Sequence, residues 1–386
     1  MRDEKELREA EALSEADAQR GKVVSSEPEI TGPFRSDSSY HNTLQGAPIH
    51  GLIASATGEK AFQMNAITHT GTAKSEGIII TVDEDVIGNL SPQTFKGLIM
   101  LLTIATERLP RENQITPEAI LSKREIEITL EDYMRACKVK DKKSAREQLN
   151  TIIRTIYGVS LEWDETEYNR PEGKTRKVKE RIHYLARIID KLGVPAEENP
   201  VKGGRVKVTL TYEMASYLAG AYIMPYPAAL LTINTQYHPY SLPLGWKLCA
   251  LYNMNYENPE RRSRTTVATL LKAAKGIPRY EDIAHRGNIY DLLIKPFNRD
   301  LQELVSAGVL SSYHYETPAG VRIDGNQLGL SYQEFSALYV CFELKGYPDQ
   351  TPRIEAKQKR ISAAISRAKN AAKKRKEAEE QTGAPS

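Results

Sequence analysis

From residue 77 onward, the apolar positions of the chain fall into a pattern that occurs twice. Each copy reads as a short helix, a turn, a longer amphipathic helix, a strand, a polar loop and a second strand. The first copy runs from about Glu125 to Tyr212 and the second from about Thr265 to Leu330. In the first, Glu125-Ile-Glu-Ile-Thr129 alternates as a strand does, and Thr129-Leu-Glu-Asp132 fits a capping box opening a helix through Cys137. Lys138 to Asp141 is the turn. Over 142–157, Ala145, Leu149, Ile152, Ile153 and Ile156 recur at helical spacing and so face a core, and Gly158 is the stop. Val159 to Trp163 is a strand, 164–180 a polar basic loop, Arg181 to Ile189 a returning strand and Arg205 to Leu210 another.

The second copy opens at Thr265 or Thr266 with a helix through about Ala274, then turns at Lys275-Gly-Ile-Pro278. A long helix is expected from about Asp282 to Ala307, with Ile289, Leu293, Phe297, Leu301 and Leu304 as its apolar stripe. Pro296 lies inside it and predicts a kink, because proline lacks the N–H that the helix needs there. Val309–Tyr315 and Val321–Ile323 read as a hairpin across Glu316–Gly320, and Phe335 to Leu344 as a last apolar strand or helix end. Ahead of the first copy, Gly77–Val82 reads as a strand and Pro92–Leu109 as an apolar helix capped by Ser91, expected to pack under the first unit. Residues 212–260 connect the copies through helices at Tyr212–Leu218 and Leu244–Tyr252.

Helix, turn, longer helix and hairpin are the parts of a winged helix. The expected fold class is therefore α+β: two tandem winged-helix domains, at 77–240 and 241–350. Residues 1–76 lack periodicity and are expected to be a disordered polar region. Residues 351–386 are expected to be a basic tail, helical or disordered, with only Ile354, Ile361 and Ile365 as a thin apolar stripe.

Composition narrows the class. The 27% charged fraction and mean hydropathy of -0.49 describe a soluble chain, and no apolar run reaches the roughly 18 residues of a membrane helix. The charged N-terminus has no signal-like apolar run, which leads to an expected bacterial cytoplasmic location. Cys137, Cys249 and Cys341 are far apart in apolar surroundings and read as buried free thiols. The net charge of +3 is small, but basic residues cluster at Lys138–Lys143, Arg170–Arg181, Arg261–Arg264 and Arg353–Lys376, as a charged face would require.

No catalytic constellation, metal spacing or cofactor motif stands out. The seven histidines form no His-x-His pair, none is spaced for zinc with a cysteine, and neither a phosphate-binding P-loop nor a G-x-S-x-G segment is present. The expectation is a non-enzyme without metal or cofactor. What remains is the polar face of each long helix. In a helix-turn-helix the second helix enters the major groove, where Arg reads guanine, Asn reads adenine and Lys neutralises phosphate. The first long helix offers Lys143, Asn150 and Arg154, and the second offers Asn288, Lys295, Asn298 and Arg299. Lys174, Arg176 and Lys177 make the 164–180 loop a candidate phosphate-touching wing. Glu147 and Asp291 sit within the same faces, where they either accept from cytosine amino groups or repel phosphate, and they weigh against tight nonspecific binding.

The stretch Tyr280-Glu-Asp-Ile283 through Leu292-Leu-Ile-Lys-Pro-Phe-Asn-Arg-Asp-Leu301, followed by strand, wing and strand, resembles the second winged helix of the plasmid replication initiators, the Rep proteins of iteron-type plasmids. The first half is similar in kind, with an apolar helix before its helix-turn-helix and an Leu251-Tyr252 pair in the connecting helix. The resemblance covers about 78–345. It implies a non-catalytic protein that binds direct repeats in duplex DNA at an origin, helps to melt adjacent DNA, recruits the host initiator and helicase, and exchanges between monomer and dimer. It also implies that Lys295, Asn298 and Arg299 are second-domain contacts and Lys143, Asn150 and Arg154 first-domain contacts. Two other readings fit the residues: a winged-helix transcriptional regulator or phage replication accessory protein, and a protein-interaction scaffold touching nucleic acid only through its basic tail.

Overall fold

A computed structural model of the chain describes residues 34, 38–45, 62–75, 78–111, 114–169, 178–193, 204–273, 276–283, 288–324, 329–352, 354–355, 359 and 362. The class is α+β, with several small antiparallel sheets. No helix among the described residues is long and apolar enough to cross a membrane. Most of the expected N-terminal region and of the basic tail lies outside the described residues, as do Lys174, Arg176 and Lys177.

Order begins earlier than the apolar pattern indicates. Strand β1 (Tyr40–Gln45) precedes β2 (Gln63–Asn65), β3 (Thr70–Ser75) and β4 (Ile78–Asp83). The apolar helix α1 (Pro92–Arg108) follows, buried on nearly every side, then α2 (Pro117–Lys123). Next come β5 (Glu125–Thr129), α3 (Leu130–Cys137) and α4 (Lys142–Tyr157). Thr129 Oγ1 accepts from Asp132 N at 3.0 Å to start α3, and Asp141 Oδ2 accepts from Ser144 N at 2.6 Å to start α4. Between them Lys138 takes a left-handed φ of 51°, which ends one helix and turns the chain into the next. Gly97 of α1 lies against Ile152 of α4, so closely that a Cβ at Gly97 would overlap that side chain.

The strands after α4 pair differently from the expected wing. Strands β6 (Val159–Asn169) and β7 (Val178–Arg187) form a long hairpin, but it extends a five-stranded sheet ordered β2-β3-β4-β6-β7. The chain changes sheets at Ile188, whose N–H bonds Val159 O at 3.3 Å while its carbonyl accepts from Thr211 N at 3.3 Å. Strand β8 (Ile189–Gly193) then joins β9 (Arg205–Leu210) and β5 in a separate sheet ordered β5-β9-β8. The hairpin beside β5 is thus β8–β9, and residues 164–169 and 178–180, expected as loop, are strand in the other sheet; residues 170–177 lie outside the described residues.

Helix α5 (Tyr212–Gly220) leads to β10 (Tyr222–Pro227), which pairs antiparallel with β1. The connector helix α6 (Ser241–Met254) is buried from Ser241 through Trp246 and again at Leu248, Cys249 and Ala250. Its Gly245 lets Leu230 and Leu304 approach; a Cβ there would lie 2.5 Å from Leu230 Cδ1. After β11 (Arg264–Thr266), Thr266 caps α7 (Val267–Leu271), its Oγ1 accepting from Thr269 N at 3.2 Å.

The long helix expected over 282–307 is interrupted. Tyr280–Ile283 forms one turn, Tyr290–Ile294 is a π-helical turn, and α8 (Lys295–Ser306) is regular. Pro296 is the physical reason for the π turn. It has no N–H to continue the ladder, and Lys295 N just before it reaches back to Tyr290 O in a wider loop. Strands β12 (Leu310–Glu316) and β13 (Arg322–Ile323), helix α9 (Tyr332–Ala337) and β14 (Tyr339–Leu344) complete a sheet ordered β11-β14-β12-β13. The buried apolar residues of both halves form one continuous cluster. Tyr40 OH bonds Lys345 O at 2.8 Å, tying the first strand to the end of the second half.

Candidate nucleic-acid interface

Helix α4 divides cleanly. Ala145, Leu149, Ile152, Ile153 and Ile156 are all buried at 2% exposure or less. Lys143, Glu147, Thr151 and Arg154 are exposed, and Asn150 is half-buried. Asn150 Oδ1 accepts from Arg154 Nε at 3.3 Å, so the two residues one turn apart hold each other on the outer face. Lys138 and Lys140 of the preceding turn, and Lys142 at the helix start, are exposed beside them. The positive end of the α4 dipole and these ammonium groups act in the same direction, and the capping Asp141 carboxylate answers part of that charge at the helix entry.

The second helix is less simple. Leu293, Phe297, Leu301 and Leu304 are buried as expected, and Phe297 meets Phe335 of α9 edge-to-face at 5.7 Å. Ile294 is buried as well, which widens the apolar stripe. Asn298 falls on that widened stripe. It is only 5% exposed, and its Oδ1 accepts from Tyr315 OH at 2.5 Å. Its amide therefore serves the core, and the expectation that it reads a base is not met by this placement.

Asn288 is exposed but also engaged. Its Oδ1 accepts from Asp291 N at 3.0 Å and its Nδ2 donates to Asp291 Oδ2 at 2.6 Å, which makes it a cap for the π turn. Lys295 is 68% exposed, with Asp291 Oδ1 3.9 Å from its Nζ. Arg299 is half-exposed and is anchored by its neighbour: Nε donates to Asp300 Oδ1 at 2.9 Å. Asp300 is fully buried, and its Oδ2 also accepts from Tyr240 N at 2.7 Å at the start of α6. Ser241 Oγ donates to the Asp300 carbonyl at 3.0 Å. One buried carboxylate thus orients Arg299 and fastens the connector to α8. Burial, with the Asp300 charge, raises the Tyr240 phenol above its ordinary range.

The exposed polar edge of the second helix is therefore Asp291, Lys295, Arg299 and Gln302, successive turns of one face. The cluster at Arg261–Arg264 is partly committed elsewhere. The Arg264 guanidinium lies 4.0 Å from the centre of the Tyr339 ring, and Arg262 sits between Tyr252 and Tyr256 at 5.7 and 5.6 Å. Cys137 and Cys249 are buried free thiols as expected, whereas Cys341 is half-buried.

A link between the two helical faces was not legible in the sequence. Lys96 of α1 is buried, and its Nζ donates to Ile233 O at 2.5 Å. Thr235 Oγ1 bonds Gln93 at 3.2 Å, and Gln93 in turn bonds Gln148 of α4 at 3.2 Å. Residues 233–241 thus touch the α1–α4 pair at one end and Asp300 of α8 at the other. The only signals were Gln93 and Lys96 near the start of a largely apolar helix.

No family model matches the chain, and no curated protein matches it. Among solved structures, it is similar to a crystal structure of domains 2 and 3 of RctB, with a TM-score of 0.36 and 11% identity over 82% of this chain and 95% of that one. A second structure of RctB domains 2–3 gives a TM-score of 0.35 and 10% identity over 74% of this chain and 91% of that one.

Proposed function

We propose that this protein is a non-catalytic replication initiator of the plasmid type that binds direct repeats in duplex DNA. On this reading each half is a winged helix, and α4 and α8 enter major grooves. The supporting observation is that both helices bury a full apolar stripe and turn long donors outward, Lys143, Asn150 and Arg154 on one and Lys295 and Arg299 on the other. Lysines at those positions neutralise phosphates, and Arg154 and Arg299 are the candidates for guanine recognition. The β8–β9 hairpin takes the place of the first wing. Contacts with a host initiator and helicase, and exchange between monomer and dimer, belong to the same proposal.

The test is Lys143→Ala combined with Lys295→Ala, one charge from each helix. Both ammonium groups are exposed, so the melting temperature of the variant should match wild type. Its affinity for a repeat-containing duplex should fall by roughly ten-fold or more, and the salt slope of binding should fall by about one per lost phosphate contact. Unchanged affinity and an unchanged salt slope in the folded double variant would remove these helices from the interface.

A further inference from the structure

Three ligand-type side chains meet on the sheet that carries α8. Tyr315 and Val340 are buried toward the core, so strand alternation sends His314, Glu316 and Cys341 to the opposite face. His314 of β12 stands directly across from Cys341 of β14, with Glu316 next along the same face of β12. One ligand atom from each of the three lies within 4.8 Å of the others, and His314 Nε2 is 3.3 Å from Glu316 Oε1. All three are half-buried, which leaves them reachable from solvent while the strands fix their backbones.

The surroundings are ordered. Arg264, opposite Cys341 on β11, places Nη2 3.2 Å from Glu316 Oε2 and lies over the Tyr339 ring. One carboxylate oxygen is thus held by Arg264 while the other turns toward His314. An outer donor on a ligating carboxylate is a common device of metal centres, because it fixes the oxygen that binds.

We propose that His314, Glu316 and Cys341 form a site for a divalent cation of the zinc class, with water as fourth ligand. A thiolate, an imidazole and a carboxylate suit zinc and select against magnesium and calcium, which prefer oxygen alone. Bonds of about 2.0–2.3 Å would bring the ligand atoms to roughly 3.5 Å from one another, a closure that side-chain rotation supplies. On binding, the Cys341 thiol loses its proton to solvent. The thiolate and the Glu316 carboxylate then balance the two positive charges, and Arg264 stays on the outer oxygen. The ion would brace β12 to β14 behind α8. This inference rests on the sheet alone and is independent of the DNA-binding proposal.

The experiment is a titration of the reduced full chain with Co²⁺, followed by Zn²⁺. The expected result is a near-ultraviolet sulfur-to-cobalt charge-transfer band that saturates at one cobalt per chain and disappears as zinc displaces it. Cys341→Ser is nearly the same size and should lose the band while keeping its circular dichroism. Cys137 and Cys249 remain in that variant as internal controls. His314→Ala and Glu316→Gln should each weaken cobalt binding by roughly ten-fold or more. Zinc should raise the melting temperature of the wild type and leave that of Cys341→Ser unchanged. Absence of the band, or a band and affinity that persist in Cys341→Ser, would overturn the site.

Discussion

Asn298 separates what a side chain is from where it sits. Asparagine on a long helix invites a base-reading role, yet this one lies on the same stripe as Ile294 and Leu301 and holds the hydroxyl of the buried Tyr315. Asn298→Ala would strand that hydroxyl without a partner, and urea unfolding should show a loss of about 1–3 kcal/mol. Lys295→Ala, exposed on the same helix, should stay within about 0.5 kcal/mol of wild type. Equal stability of the two variants would contradict the assignment. Lys96 makes a prediction in pH. Burial lowers its pKa from the ordinary 10.5, so the folded state binds the proton more weakly than the unfolded chain. The penalty is fully present below the folded pKa and fades as pH rises through it toward 10.5. The stability of wild type relative to Lys96→Met should therefore rise over that window, and a flat difference would show that Lys96 titrates normally.

At the scale of elements, what was legible was what is local. The stripes of α4 and α8, the caps at Thr129 and Thr266 and a local irregularity at Pro296 all follow from a few neighbouring residues, because helical period and capping are short-range. Sheet membership was not legible. Residues 40–45 alternate weakly and are polar, and their partner β10 lies far along the chain; likewise the switch of sheets at Ile188 depends on Val159 and Thr211, which no local pattern announces. His314 and Cys341 meet for the same reason, through register between strands rather than spacing along the chain. The close crossing of α1 and α4 gives a test at this scale. Gly97→Ala should cost about 1–3 kcal/mol through overlap with Ile152, although alanine is the better helix former. A stabilised variant would mean that the helices separate without penalty.

Over the whole molecule, the two helical faces are carried by one continuous core rather than by separate bodies joined by a free linker. Residues 233–241 join Lys96 and Gln93 on one side to Asp300 on the other, and Asp300 in turn orients Arg299. The position of Arg299 is thereby coupled to the packing of the first half. The central claim is that these two faces select a repeated duplex site, and the most direct measurement is a salt-controlled gel shift of the full chain on DNA flanking its own gene, with random duplex as competitor. The account predicts retention on one repeated segment at a salt concentration that releases the competitor, and weaker binding to both DNAs with a smaller salt slope in the Lys143→Ala, Lys295→Ala double variant. Release of both DNAs at the same salt would contradict it, leaving only unspecific attraction to the basic segments of the chain.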